Sequence, residues 1–269
     1  IYGPPGNGKT SLIKNGIAKA LNRPFVFISL GGAQDSSFLE GHGFTYEGSI
    51  YGKIADGIIN SGCMNPIIYF DELDKVSNTS KGREIINLLI HMIDPVQNKH
   101  FVDKYFHGLE LDLSKCIIVF SYNDSTLIDR ILVDRFIEID IKPYNVNDKV
   151  KILKDYMFKE VCKSIGFNIN DFEIKDDDIK FLIDKYTYEA GVRKLKERLF
   201  ELVREINLVR VLETEDISLP FKLTEEFIKK LFSDRPKVQY KKIAKSPQVG
   251  LVNGLYATSS GTGGITIIE

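Results

Sequence analysis

Short apolar runs alternate with amphipathic stretches through the first half of this chain, and the alternation then stops. Leu12, Ile13, Ile17, Ala20 and Leu21 fall on one face of a helix spanning 11–21. Asn22-Arg23-Pro24 breaks that pattern, and Phe25 to Leu30 reads as a buried strand. A helix over 52–60 precedes a second buried run, Ile67 to Phe70. Around Glu84 to Met92, apolar residues at 85, 86, 88, 89, 90 and 93 predict a largely buried helix. The stretch 94–113 is polar and irregular, Cys116 to Phe120 is another buried strand, and Phe136 to Ile141 predicts a further one. Strands alternating with helices predict a parallel, helix-covered sheet of α/β class.

From Pro143 the strands stop. Helical segments over 147–165, 176–187, 191–212 and 224–232 predict a second, smaller, all-helical domain. Residues 233–248, with Arg235, Lys237, Lys241, Lys242, Lys245 and two prolines, read as a linker, with a nucleic-acid arm as the lesser alternative. The last residues, 249–269, are short apolar runs among glycines and predict the start of a β-rich unit. Twenty-one residues cannot close a core alone, so the expectation is a truncated domain.

Composition narrows the class. The 269 residues are 43% hydrophobic and 27% charged, ordinary for a globular chain. Thirty-six basic against thirty-seven acidic residues give a net charge of -1, which provides no electrostatic case for nucleic acid or a membrane surface. No apolar run approaches the ~20 residues that span a bilayer. Cys63, Cys116 and Cys162 form no C-x-x-C pair and read as reduced, buried thiols. His42, His91, His100 and His107 lack metal-site spacing.

The chemistry begins at Gly3-Pro4-Pro5-Gly6-Asn7-Gly8-Lys9-Thr10, which fits G-x-x-x-x-G-K-S/T, the phosphate-binding loop. Its glycines permit the backbone angles that turn successive N–H groups toward an anion. Lys9 is expected to reach the β- and γ-phosphates, and the Thr10 hydroxyl to sit on Mg²⁺. Ser11 opens the helix whose N-terminal dipole adds to the site. Such a loop normally follows a buried strand; with Gly3 so near the start, the expectation is a fragment from which that strand has been cut away.

Sixty residues on, the apolar run ends in Asp71-Glu72. A central strand carries these acids to its C-terminal edge, where open α/β sheets bind ligands. Asp71 is expected to bind Mg²⁺ through its water shell and Glu72 to act as general base on the attacking water. Asn123, after the strand ending at Phe120, would lie beside them and hold that water; a turn-forming Asn is the alternative. Asp129-Arg130 and Asp134-Arg135 precede the next strand. An arginine there makes a surface ion pair or, in a ring assembly, reaches a neighbour's γ-phosphate. Tyr46, between glycines, is a turn or part of a mobile loop that touches a substrate.

The stretches GPPGNGKTSL, FVFISLGGAQD, GHGFTYEGSIYGKI, NPIIYFDELDK, IDPVQN, YTYEAGVRKLKER and VGLVNGLYATSSGTGG run in order along the chain. Together they resemble the ATPase module of the Lon proteases, within the AAA+ ring ATPases. The resemblance implies a P-loop NTPase sheet over 1–141, a helical lid over 142–233, a linker over 234–248 and the start of a proteolytic domain over 249–269. It implies ATP and Mg²⁺ as cofactors, with Gly3 to Ser11 around the nucleotide. It puts Asn123 at the sensor 1 position, Arg135 at the finger position and Arg193 at sensor 2, with Tyr144 near the adenine. Arg135 fits better than Arg130 because only it sits in the V-D-R-F context. Tyr46 matches the aromatic of the pore loop that grips unfolded polypeptide; Glu47 departs from the apolar neighbour usual there.

By resemblance, the chain is the ATP-driven unfoldase of a protease that degrades unfolded or damaged proteins. Its partners would be unfolded substrates and identical subunits in a hexameric ring, in a reducing compartment such as the cytoplasm or mitochondrial matrix, without membrane or nucleic acid. The Ser-Lys pair of Lon proteolysis lies beyond this chain. Three rivals stand beside this reading. They are a remodeller or chaperone without a working protease, a nucleic-acid-linked ATPase such as a clamp loader or helicase, and a nucleotide-binding scaffold without turnover.

Overall fold

A computed structural model describes residues 1–45, 47–212, 219–238, 249–257 and 263–268. The chain divides into two compact units, residues 1–3 with 8–141, and residues 4–7 with 142–269.

In the first unit, helix α1 covers 9–20. It is α-helical over Lys9–Ser11, π-helical over Leu12–Ile17 and α-helical again over Ala18–Ala20. Strand β1 (Phe25–Ser29), the short helix α2 (Ser37–Glu40), helix α3 (Lys53–Ser61) and strand β2 (Ile67–Asp71) follow. Helix α4 (Ser80–Ile93) is capped by Thr79, whose hydroxyl accepts from Gly82 N–H at 3.3 Å. A two-rung hairpin, β3 (Phe101–Val102) with β4 (Glu110–Leu111), precedes strand β5 (Ile117–Phe120) and the one-turn helix α5 (Arg130–Val133).

The sheet order is β1-β2-β5, all parallel. Parallel strands need helical crossovers on the faces, so the central strand is covered on both sides. Accordingly Ile67, Ile68, Tyr69 and Phe70 are all buried. Ile68 and Phe70 join the larger core with Leu39, Ile54, Ile85 and Leu89, whereas Ile67 and Tyr69 meet Ile13 and Ala18 of α1 on the opposite face. Gly57 lets α3 lie against the sheet, because a Cβ there would come within 2.3 Å of Val26.

Four expectations for this unit need amendment. Phe136 to Ile141 is not a full strand: Tyr2 is its ladder partner and forms single parallel bridges to Asp140 and to Tyr122. Tyr2 N–H donates to Ile139 O, and Ile141 N–H to Tyr2 O, one rung in all. Strand β1, expected to be buried, lies at an edge of the three-stranded sheet, and Phe27 is half exposed. The face proposed for α1 is only partly used. Of its residues only Ile13 is buried, while Leu12, Ile17, Ala20 and Leu21 are exposed; Ala18, outside that face, is buried instead, because i→i+5 bonding through Leu12–Ile17 shifts the period. The stretch 94–113 is not wholly irregular but contains the β3–β4 hairpin.

The second unit is chiefly helical. Helix α6 spans 146–165 and begins in a reciprocal capping box: Asn145 Oδ1 accepts from Asp148 N–H, and Asp148 Oδ2 accepts from Asn145 N–H. Gly166 ends it in the left-handed region, φ 95°. Strand β6 (Phe172–Ile174), helices α7 (Asp176–Tyr186) and α8 (Arg193–Leu212), strand β7 (Phe221–Leu223) and helix α9 (Glu225–Leu231) complete the bundle. The parallel pair β6–β7 amends the all-helical expectation. Three acids, Asp176, Asp177 and Asp178, favour the positive end of α7. The core gathers Leu153, Val161, Ile179, Leu182, Leu199 and Leu202. Strands β8 (Val252–Ala257) and β9 (Gly263–Ile268) form an antiparallel hairpin.

Leu202 is fully buried in that bundle. Leu202→Ala should therefore destabilise it by about 2–5 kcal/mol. Urea unfolding followed by far-ultraviolet circular dichroism measures this; a loss under about 1 kcal/mol would contradict the packing described.

Candidate nucleotide site

The loop preceding α1 is built on three glycines at positive φ: Gly3 (146°), Gly6 (82°) and Gly8 (73°). A Cβ on Gly3 would lie 2.3 Å from Ile141 O, so no other residue fits there. Gly8 caps α1 from the left-handed region, and its carbonyl accepts from Leu12 N–H at 2.8 Å. The first turn of the helix holds no acid, so its positive end is left for an external anion.

Within the first unit, Lys9 is buried and donates from Nζ to Gly3 O at 2.7 Å and to Asn123 Oδ1 at 2.9 Å. Burial pushes its pKa down, while Asp71 and Asp74 pull it back up. Thr10 Oγ1 lies 3.1 Å from Tyr69 Oη. Tyr69 and Asp71 are two apart on β2 and so face the same side of the sheet, which puts the Thr10 hydroxyl and the Asp71 carboxylate on one face. Burial raises the Tyr69 pKa.

Glu72 sits at φ 60°, in the left-handed region that a non-glycine residue seldom adopts. Its N–H donates to Asp71 Oδ1 at 3.1 Å, and its carboxylate accepts from Ser29 Oγ at 3.4 Å. The register Ser29↔Asp71 brings that hydroxyl alongside. A Cβ on Gly31 would come within 2.1 Å of Glu72 Oε2. Asp74 Oδ2 accepts from Asn123 N–H at 3.2 Å, and Leu73 N–H donates to Ser121 O at 3.0 Å, so the acidic turn is tied to the Asn123 turn. Sequence reasoning missed Ser29, Gly31 and Asp74. Only Asp74, two residues past Glu72, carried a local signal.

The second unit holds the other half of the loop. Tyr144 Oη donates to Asn7 O at 2.8 Å, and Asn7 Nδ2 donates to Lys142 O at 2.9 Å. Val192 N–H donates to Gly6 O at 3.1 Å, and a Cβ on Gly191 would collide with the Gly6 backbone at 2.3 Å. Glu189 caps α8, accepting from Lys194 N–H at 3.0 Å and Leu195 N–H at 2.8 Å. The buried Lys149 donates to Glu189 O at 2.5 Å; burial lowers its pKa against the pull of Glu189. Arg193 opens α8, 80% exposed, in a 3.8 Å ion pair with Glu197.

Elsewhere, Arg135 pairs with Asp94 at 2.5 Å. Val96 N–H and then Arg135 hold the Asp94 carboxyl below the usual range. Arg130 starts α5 and is exposed. Pro4 is half-buried, and Pro5 and Ser11 are exposed. Tyr46 lies outside the described residues; Glu47 is exposed. Among the described residues no group of three or more His, Cys, Asp or Glu could hold a metal ion. A magnesium ion bound mainly through phosphates needs only one or two protein oxygens, and Thr10 and Asp71 offer that set. Among the described residues no helix is long and apolar enough to cross a membrane.

Known families and proteins resemble this chain along most of its length. A family model described as the ATPase family associated with various cellular activities matches residues 1–144, and one described as the Lon protease AAA+ ATPase lid domain matches 163–218. A Lon protease homolog of Acanthamoeba polyphaga mimivirus is 36% identical over 100% of this chain and 31% of that protein. Lon proteases of Mycoplasmopsis agalactiae and Clostridioides difficile are 38% and 37% identical, over 97% and 99% of this chain and 26% and 33% of theirs. The chain thus spans about a third of the length of these relatives. Two solved RuvB mutants of Thermotoga maritima share the fold, with TM-scores of 0.53 and 0.55 at 15% and 16% identity, covering 87% of this chain and 60% of theirs.

The clash at Gly31 falls on the far end of a flexible side chain. Gly31→Ala should therefore re-aim Glu72 rather than unfold the protein. Thermal stability should change by less than about 1 kcal/mol, with ATP binding retained and turnover reduced at least about tenfold. Unchanged turnover would mean that the Glu72 position is immaterial.

Proposed function

This chain belongs to the AAA family of ATPases, and from that premise we propose that it is the ATP-driven, polypeptide-threading module of a Lon-type protease. The observation that carries the reading is the buried Lys9 ammonium, which bridges the phosphate loop at Gly3 to the strand-end amide of Asn123. Phosphate oxygens arriving there would take over its bonds and complete its charge balance.

In this reading the backbone of Gly3 to Gly8 cradles the β- and γ-phosphates, and Lys9 neutralises them. Thr10 and Asp71 would hold Mg²⁺, which supplies charge compensation on the phosphate oxygens when bound. Glu72 takes the proton of the attacking water, Asn123 orients that water, and Ser29 keeps the Glu72 carboxylate in place. Arg135 stabilises developing charge on the nucleotide of the adjacent subunit, which requires it to exchange its present partner Asp94. Arg193 ties the lid to the nucleotide, and Tyr144 lies near the adenine.

The division proposed is nucleotide-binding unit 1–141, lid 142–233, linker 234–248 and the start of a proteolytic domain at 249–269. Subunits assemble as a hexameric ring, with Tyr46 and Glu47 facing unfolded polypeptide in the pore. The three cysteines are free, which suits a reducing compartment, the cytoplasm or an organelle matrix.

Glu72→Gln should lower kcat for ATP hydrolysis about 100-fold or more while leaving ATP affinity within about threefold. Lys9→Ala should instead abolish tight ATP binding. Stopped-flow binding of a fluorescent ATP analogue beside steady-state phosphate release separates the two. A Glu72→Gln variant with wild-type turnover would remove Glu72 from the reaction.

A further inference from the structure

Asp103 is fully buried, 0% exposed, yet lies outside the nucleotide site. It follows β3, at the start of the loop that leads to β4. Both carboxylate oxygens are used by main-chain donors. Gly52 N–H donates to Oδ2 at 2.8 Å, and Tyr105 N–H donates to Oδ1 at 2.9 Å. Gly52 closes the loop that follows Gly41, so one side chain ties the end of that loop to the hairpin loop.

Both glycines beside this carboxylate are required by close contacts. A Cβ on Gly41, which sits at φ +76°, would lie 2.6 Å from Asp103 Oδ1 and 2.9 Å from Gly52 N. A Cβ on Gly52 would lie 2.1 Å from Leu39 O. The base of loop 42–51 is also closed by His42 N–H donating to Ile50 O at 3.2 Å and by Ser49 Oγ donating to Gly43 O at 2.8 Å. The two loops meet again beyond Asp103. Lys104 N–H donates to Glu40 O at 2.7 Å, and the Lys104 ammonium pairs with the Glu40 carboxylate. Tyr51 stacks on Phe106 with ring centroids 5.6 Å apart, and Phe44 lies 6.3 Å from His107.

A buried carboxylate is expensive unless it is fully hydrogen-bonded, and an apolar residue in its place would leave the Gly52 and Tyr105 N–H groups unpaired. What only a carboxylate supplies here is two acceptors aimed at N–H groups of two different loops. We propose that Asp103 is a clasp that makes loop 42–51 and loop 103–109 one mechanical body. This deepens the threading function above and rests on it: force from nucleotide turnover would reach a gripped polypeptide through both loops together, not through one hinged loop.

The test uses Asp103→Ala and the isosteric Asp103→Asn in the whole protein. Asparagine keeps the volume but turns an N–H₂ toward one of the two donors, so it breaks a bond without opening a cavity. Hydrogen–deuterium exchange should rise at least tenfold in peptides covering both 42–52 and 103–109, in both variants. ATP-driven unfolding of a stably folded substrate should fall at least fivefold while basal ATP hydrolysis stays within twofold. Faster exchange in one loop alone, or in neither, would overturn the clasp. So would a parallel loss of ATP hydrolysis, which would show Asp103 supporting the fold of the ATPase unit generally. Should the wild-type protein turn over ATP without acting on polypeptides, the threading function fails, and the exchange data still decide the clasp.

Discussion

An ammonium held out of water organises this molecule. Lys9 reaches back from the first turn of α1 to a loop carbonyl and to Asn123 Oδ1, and burial pulls its pKa down against the pull of Asp71 and Asp74. Two hydrogen bonds to neutral oxygens and two nearby acids hold the charge there, and an anion in the loop strengthens that balance. The backbone geometry behind this is three positive-φ glycines, a helix start without acids, and a strand end that delivers Asn123.

The acids owe their position to the central strand. Because β2 is covered on both faces, its apolar residues fix the register with β1 and β5, and that register sets what stands at its C-terminal end. Ser29 comes alongside Asp71, Glu72 turns through a strained left-handed conformation, and Gly31 leaves space for its carboxylate. Local strain at a functional position is stable only when its surroundings overdetermine it. Here the strand ladder, the Ser29 hydroxyl and the Asp74–Asn123 bond do so.

The sequence exposed much of this, for identifiable reasons. Contiguous motifs such as Gly3 to Thr10 and Asp71-Glu72 need only local chemistry to be read, and the long helices carry their periodicity openly. Ser29 and Gly31 were invisible because their importance arises from register and from a loop that passes Glu72. The β3–β4 hairpin was hidden because two-residue strands leave no alternation to detect. Phe136 to Ile141 was overread as a strand, since its composition is right but its ladder partner is Tyr2 alone. Phe27 and the outer face of α1 show the converse: apolar composition predicted burial that an edge position and a π-helical turn do not provide.

The most direct test of the central claim is release of labelled peptides from an unfolded protein by the whole wild-type protein, with Mg·ATP, with ADP and without nucleotide. The account predicts sustained release with Mg·ATP and little with ADP or none, and its loss in Lys9→Ala. Brisk ATP hydrolysis with no peptide release, or equal release without nucleotide, would contradict it.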